Sequence, residues 1–172
     1  MADTIWTQTD ATADFDFDET TMIGEGAKTS SSAFIGYRIT DVKFYLWCTS
    51  PSGSTVTCGR FNSSYVLQHT YWTLNTNSLT SSSTLTQGTM IEDTQDIAEG
   101  DIIGVQVTSG TDDVKINGIH SDVFDGVNSA FVRNTSGYNT GLDIGFSITG
   151  STTPPPTTTN TFYPPPPAYI TL

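Results

Sequence analysis

A chain of 172 residues and 18.5 kDa suffices for one domain with its own core plus an extension. Six Lys and Arg against 18 Asp and Glu leave a formal charge of −12 and a pI near 4.1. Such a polyanion excludes nucleic acid as a partner and disfavours anionic membrane surfaces, and a composition about 28% Ser and Thr matches an exposed, β-rich surface or secreted protein.

Residues 1–19 carry no basic region followed by an apolar one, so they do not read as a signal peptide. Either export precedes this form of the chain, or the protein reaches its site without a signal, as virion proteins do; Met1 favours the second. No stretch approaches the run of about 18 apolar residues that a membrane helix needs, so no membrane insertion is expected. The segment alternates. Ile5, Thr7, Thr9, Ala11, Ala13, Phe15 and Phe17 are apolar or small, whereas the even side is polar apart from Trp6. One strand over this length would reach roughly 40 Å, more than a single sandwich uses. Three readings remain: a bent strand serving both sheets, two short strands around Asp10-Ala11, or a strand whose front half inserts into another subunit.

Residues 20–150 read as an all-β, antiparallel sandwich of jelly-roll or immunoglobulin-like type. Val42, Phe44, Leu46 and Cys48 alternate with Lys43, Tyr45 and Trp47, and Val56, Cys58 and Arg60 follow the turn Ser50-Pro51-Ser52-Gly53-Ser54. A hairpin centred on Gly53 would set Cys48 against Cys58, either as a cross-strand disulfide or as two buried thiols. Further strands are predicted near 65–74, 84–91, 102–108, 113–119 and 130–133. The last alternates Leu142, Ile144, Phe146 and Ile148 with outward Asp143, Gly145, Ser147 and Thr149. Turns at Glu99-Gly100-Asp101, Ser109-Gly110-Thr111 and Ser136-Gly137 separate them.

Seven of the eight prolines fall in residues 151–172, a Pro/Thr-rich tail of polyproline II character with a reach of roughly 60 Å. Phe162, Tyr163, Tyr169, Ile170 and Leu172 are anchors that can lose water on docking. The closing Ala168–Leu172 stretch is β-prone and suited to pairing with an exposed sheet edge. The tail is read as an intersubunit strap rather than a flexible stalk.

Catalytic inventory is poor. His69 and His120 are the only histidines, four glutamates are present, and no nucleophile elbow, phosphate loop or zinc motif occurs. No enzyme and no cofactor is expected. Asp122 and Asp125, with Asn128, form a weak calcium candidate, and Asp93, Asp96, Glu99 and Asp101 form another acidic cluster. The simpler reading is solvated acidic loops. Asn62-Ser63-Ser64 and Asn134-Thr135-Ser136 satisfy the N-glycosylation sequon, which makes glycans a candidate partner, and Thr152, Thr153 and Thr157 to Thr159 fit O-glycosylation.

Several stretches carry a resemblance: residues 34–42, Ser50-Pro51-Ser52-Gly53, residues 99–105, residues 122–129 and Leu142-Asp143-Ile144. In order and spacing, residues 34–150 resemble a widespread β-sandwich domain of exported and environmental proteins without assigned function. The fold is also similar to that of pilus-like environmental fibril subunits, in which an N-terminal strand of one protomer completes a sandwich in another. The resemblance implies self-assembly by donor-strand exchange, with the alternating N-terminal residues as donor, and no catalytic residues. The expected protein is a subunit of an extracellular helical fibre. The alternatives are a virion decoration or fibre protein, and a carbohydrate-binding module with Trp47, Trp72, Tyr71 or Tyr45 as its sugar platform.

Overall fold

The computed structural model describes residues 3–9, 13–121, 124–139 and 141–152. Among them the chain is all-β, with every strand pair antiparallel and two packed sheets. The strands are β1 (Asp3–Gln8), β2 (Ala13–Phe17), β3 (Met22–Ala27), β4 (Arg38–Trp47), β5 (Thr55–Phe61), β6 (Leu67–Asn75) and β7 (Thr84–Thr86). They continue with β8 (Ile102–Ser109), β9 (Val114–Ile119), β10 (Ser129–Arg133), β11 (Gly137–Asn139), β12 (Asp143–Ile144) and β13 (Phe146–Ser151). One sheet runs β1-β13-β4-β9-β12, with β2 on β9 and β7 on β4; the other runs β11-β10-β3-β8-β5-β6.

Period-two alternation makes these elements, and burial follows it. Val42, Phe44 and Leu46 from the first sheet meet Ile23, Val56, Cys58, Ile103 and Val105 from the second in one fully dehydrated core. Each such aliphatic side chain contributes about 1.5–3 kcal/mol on burial. The Trp72 indole N–H crosses the core to donate to Val42 O at 2.8 Å. The second sheet is buried on its outer face too: Tyr65 and Tyr138 cover Met22, Phe61, Ile102 and Val132. That is why all six residues of β3 are buried.

The structure departs from the sequence reading at several points. The 49–54 segment is an arch between sheets, not a hairpin, because β4 lies in the first sheet and β5 in the second. Cys48 and Cys58 are free, buried thiols, and Cys48 Sγ faces Asp113 O at 3.6 Å. The strand expected over 84–91 stops at Thr86. Beyond it the chain crosses to the other sheet, where Ile91 N–H donates to Tyr71 O at 2.6 Å. Asp143, expected outside, is fully buried, because the strand breaks at Gly145 and the Phe124 N–H caps its carboxylate at 2.8 Å. The tail anchors Phe162, Tyr163, Tyr169, Ile170 and Leu172 lie outside the described residues, as do Ala11 and Asp122.

The arch is fastened by one carboxylate. Asp112, in the β8–β9 turn, accepts the Ser52 N–H at 2.9 Å, the Ser54 N–H at 3.2 Å and the hydroxyls of Ser52 and Thr76. The Ser52 hydroxyl, then that of Thr76, hold this carboxyl far below the ordinary carboxylate range.

Candidate functional site

The N-terminal arm forms two strands on its own domain. β1 pairs with β13 from Asp3↔Ser151 to Gln8↔Phe146, and β2 pairs with β9 from Ala13↔Gly118 to Phe17↔Val114. β2 takes the side of β9 opposite β4, whose Leu46 and Trp47 pair with Ile116 and Lys115. Of the readings open from the sequence, the observed arm matches two short strands.

The two halves dock with opposite parity. In β2 the odd residues face inward as expected: Phe17 is in the core, and Phe15 is half-buried 4.8 Å from the Phe131 ring. In β1 the parity reverses. Thr4, Trp6 and Gln8 are half-buried, whereas Ile5, Thr7 and Thr9 are exposed, Ile5 by 65%. Trp6 decides this, because an indole stabilises whichever face it buries more than Ile5 or Thr7 can. Its ring packs edge-on against Phe34 at 5.2 Å and Tyr37 at 4.9 Å.

Both rings sit where the neighbouring strand has a glycine. A Cβ on Gly150 would lie 2.8 Å from the Trp6 indole, and one on Gly118 only 1.8 Å from the Phe15 ring. The pairing is diagonal, since Trp6 is registered with Ile148 and Phe15 with Ile116. Large rings shielding cross-strand glycines stabilise otherwise weak edge positions.

Electrostatics differ along the arm. Asp16 is ion-paired to Lys115, and its carbonyl accepts Arg133 Nη2–H at 3.2 Å. Asp113 nearby is raised by burial and then by the Asp16 charge. The Thr20 hydroxyl holds Asp18 low. β1 carries one acid, Asp3, and its only side-chain hydrogen bond among the described residues is Thr4 Oγ1–H to Tyr37 OH at 3.4 Å.

Other candidates are absorbed by structure. Asp125 Oδ2 accepts the Ala33 N–H at 2.6 Å and the Ser129 hydroxyl at 3.1 Å. Asp93 and Asp101 flank the buried Arg60 at 2.9 and 3.7 Å, and Asp96 lies 3.5 Å from Arg38. Burial pushes Asp93 up, but the Arg60 guanidinium overrides it and leaves the carboxyl below its ordinary value. Among the described residues no three His, Cys, Asp or Glu converge to hold a metal. Trp47, Trp72 and Tyr71 are buried in the core and present no sugar platform, which leaves Tyr45 alone, half-buried. His69 meets Ile91 O at 3.2 Å, and exposed His120 stands edge-on to Phe15. Asn62 Oδ1 closes its own turn onto the Ser64 and Val66 N–H groups. Asn134 bridges Thr20 O and Met22 N–H with its amide.

The residues that sequence reasoning missed are Trp6, Gly118, Gly150 and Asp112. Trp6 was visible as the one apolar residue on the polar side of the arm; nothing in the local sequence marked the others. Compared with family models, curated proteins and solved structures, the chain has no match.

Proposed function

We propose that this chain is a non-enzymatic structural subunit of an extracellular, pilus-like fibre, in which β1 of one copy completes the sheet of the next. The observation that carries this reading is the way β1 is attached. It is the first strand of the fold, paired on one side only among the described residues, anchored by one large ring, and joined to β2 through residues 9–12. Every group it uses, namely the β13 ladder, Gly150, Phe34 and Tyr37, is present identically on a second copy. Exchange therefore conserves contacts while linking subunits. The contact is heterologous, and with a rotation between copies that does not close into a ring, repeated exchange grows a filament. Main-chain ladder bonds supply affinity, and the Trp6 notch supplies register.

The inserted face in this reading is Thr4, Trp6 and Gln8. Residues 13–17 stay with their own domain, held by Phe17 in the core and by the Lys115 and Arg133 contacts to Asp16.

Electron microscopy of the purified chain beside a variant lacking residues 1–9 is the test. Filaments from the full chain are expected, and soluble subunits from the truncated one, which a free peptide of residues 1–9 stabilises without restoring filaments because it links no two subunits. Filaments of the same form and yield from the truncated chain would refute strand donation.

A further inference from the structure

We propose that the outer edge of β1 is a docking strip for the end of the same chain, residues 168–172, which add a short strand beside it. This goes beyond the fibre reading and holds whether or not subunits polymerise. An edge strand turns every second N–H and C=O away from its neighbour, and such rows recruit other strands unless blocked. The other margins are short or blocked. β7 and β11 have three residues each, β6 already accepts the Ile91 N–H at Tyr71 O, and the Asp16 carbonyl of β2 takes the Arg133 guanidinium. β1 offers six residues, and among the described residues no strand pairs with its outer side. On that strip Ile5 is 65% exposed.

Position and charge select the occupant. The tail leaves the domain at Ser151, which is paired with Asp3 at the start of β1. The fifteen residues 153–167 span up to roughly 45 Å as polyproline II, whereas β1 is only about 20 Å long. All 18 acidic and six basic residues lie at or before Asp143, so the tail brings no side-chain charge to a subunit of net −12. Pairing two β1 strands from separate copies would instead bring their acidic arms together. Tethering also gives the tail a local concentration in the millimolar range, ahead of any second copy in dilute solution. Ala168, Ile170 and Leu172 alternate with Tyr169 and Thr171, so a strand that sets Ile170 beside Ile5 brings Tyr169 to the Trp6 side.

Hydrogen exchange followed by mass spectrometry on the full chain, on Ile170→Asp and on a variant ending at Thr152 tests this at a concentration where light scattering shows monomers. Peptides covering residues 3–8 are expected to exchange at least about tenfold faster in both variants, with β8 unchanged as the internal control. A synthetic peptide of residues 164–172 should restore protection to the shortened chain. If shortening unfolds the domain, seen as lost β8 protection, Ile170→Asp carries the comparison. Equal exchange over residues 3–8 in all folded proteins overturns the proposal. So does protection that vanishes on dilution, which would assign the edge to a second copy.

Discussion

Asp112 collects four donors from two other segments, the arch at Ser52 to Ser54 and Thr76 after β6. Its carboxyl sits below the unfolded value of about 3.9. A depressed carboxylate stabilises the fold above the unfolded value, and that stability is lost as pH falls below it. Asp112→Asn should therefore cost about 2–3 kcal/mol at pH 7 in urea denaturation, with the gap to wild type narrowing below about pH 4. A gap constant from neutral pH to about pH 2 would mean that the charge is not what fastens the arch. Arg60 makes the complementary case. It is buried against Asp93, so Arg60→Leu should cost about 3 kcal/mol or more by stranding that carboxylate. Arg60→Leu with Asp93→Leu should recover much of the loss, and equal instability of the single and double variants would argue against a stranded charge.

At the scale of elements, the recurring device is a large side chain laid diagonally over a glycine in the next strand. Trp6 covers Gly150, Phe15 covers Gly118 and Leu67 covers Gly59, whereas Tyr138 reaches past β10 to Gly26 two strands away. Three outer strands, β1, β2 and β6, are each keyed to their sheet in this way. Gly118 has no left-handed backbone requirement, and the three atoms nearest to an added Cβ there all belong to the Phe15 ring. Gly118→Val should release β2 and raise exchange at residues 13–17, at a cost of about 2 kcal/mol. Phe15→Ala combined with Gly118→Val should be less destabilising than the two single costs added, because the ring and the new methyls compete for one space. Strict additivity in denaturation would show that the ring does not use the glycine.

For the molecule as a whole, the charge of −12 opposes the self-association proposed above. Each subunit approaches another of the same sign, and the six basic residues are too few to offset it. Screening acts directly on this barrier, since the Debye length falls from about 30 Å near 10 mM salt to about 8 Å near 150 mM. Polymerisation followed by light scattering should start sooner at the higher salt, and sooner still as pH approaches the pI near 4.1. A salt-independent lag would place the slow step in releasing β1 from its own domain instead.

The sequence by itself determined the all-β character, most strand positions and the turns. Period-two alternation and turn chemistry are local properties, and the turns read at Gly53, Gly100, Gly110 and Gly137 all adopt positive φ. What only the tertiary structure decided is which strands are neighbours. Alternation tells a strand which face is apolar but not which sheet it joins, so a six-residue connection after Cys48 fits an arch as well as a hairpin. The same limit hid the arm's change of parity, because Ile5 and Trp6 are both apolar and only a notch over Gly150 favours one of them. It hid Asp112 too, whose donors lie 36 to 60 residues away in the chain and become neighbours only when two sheets close over a common core.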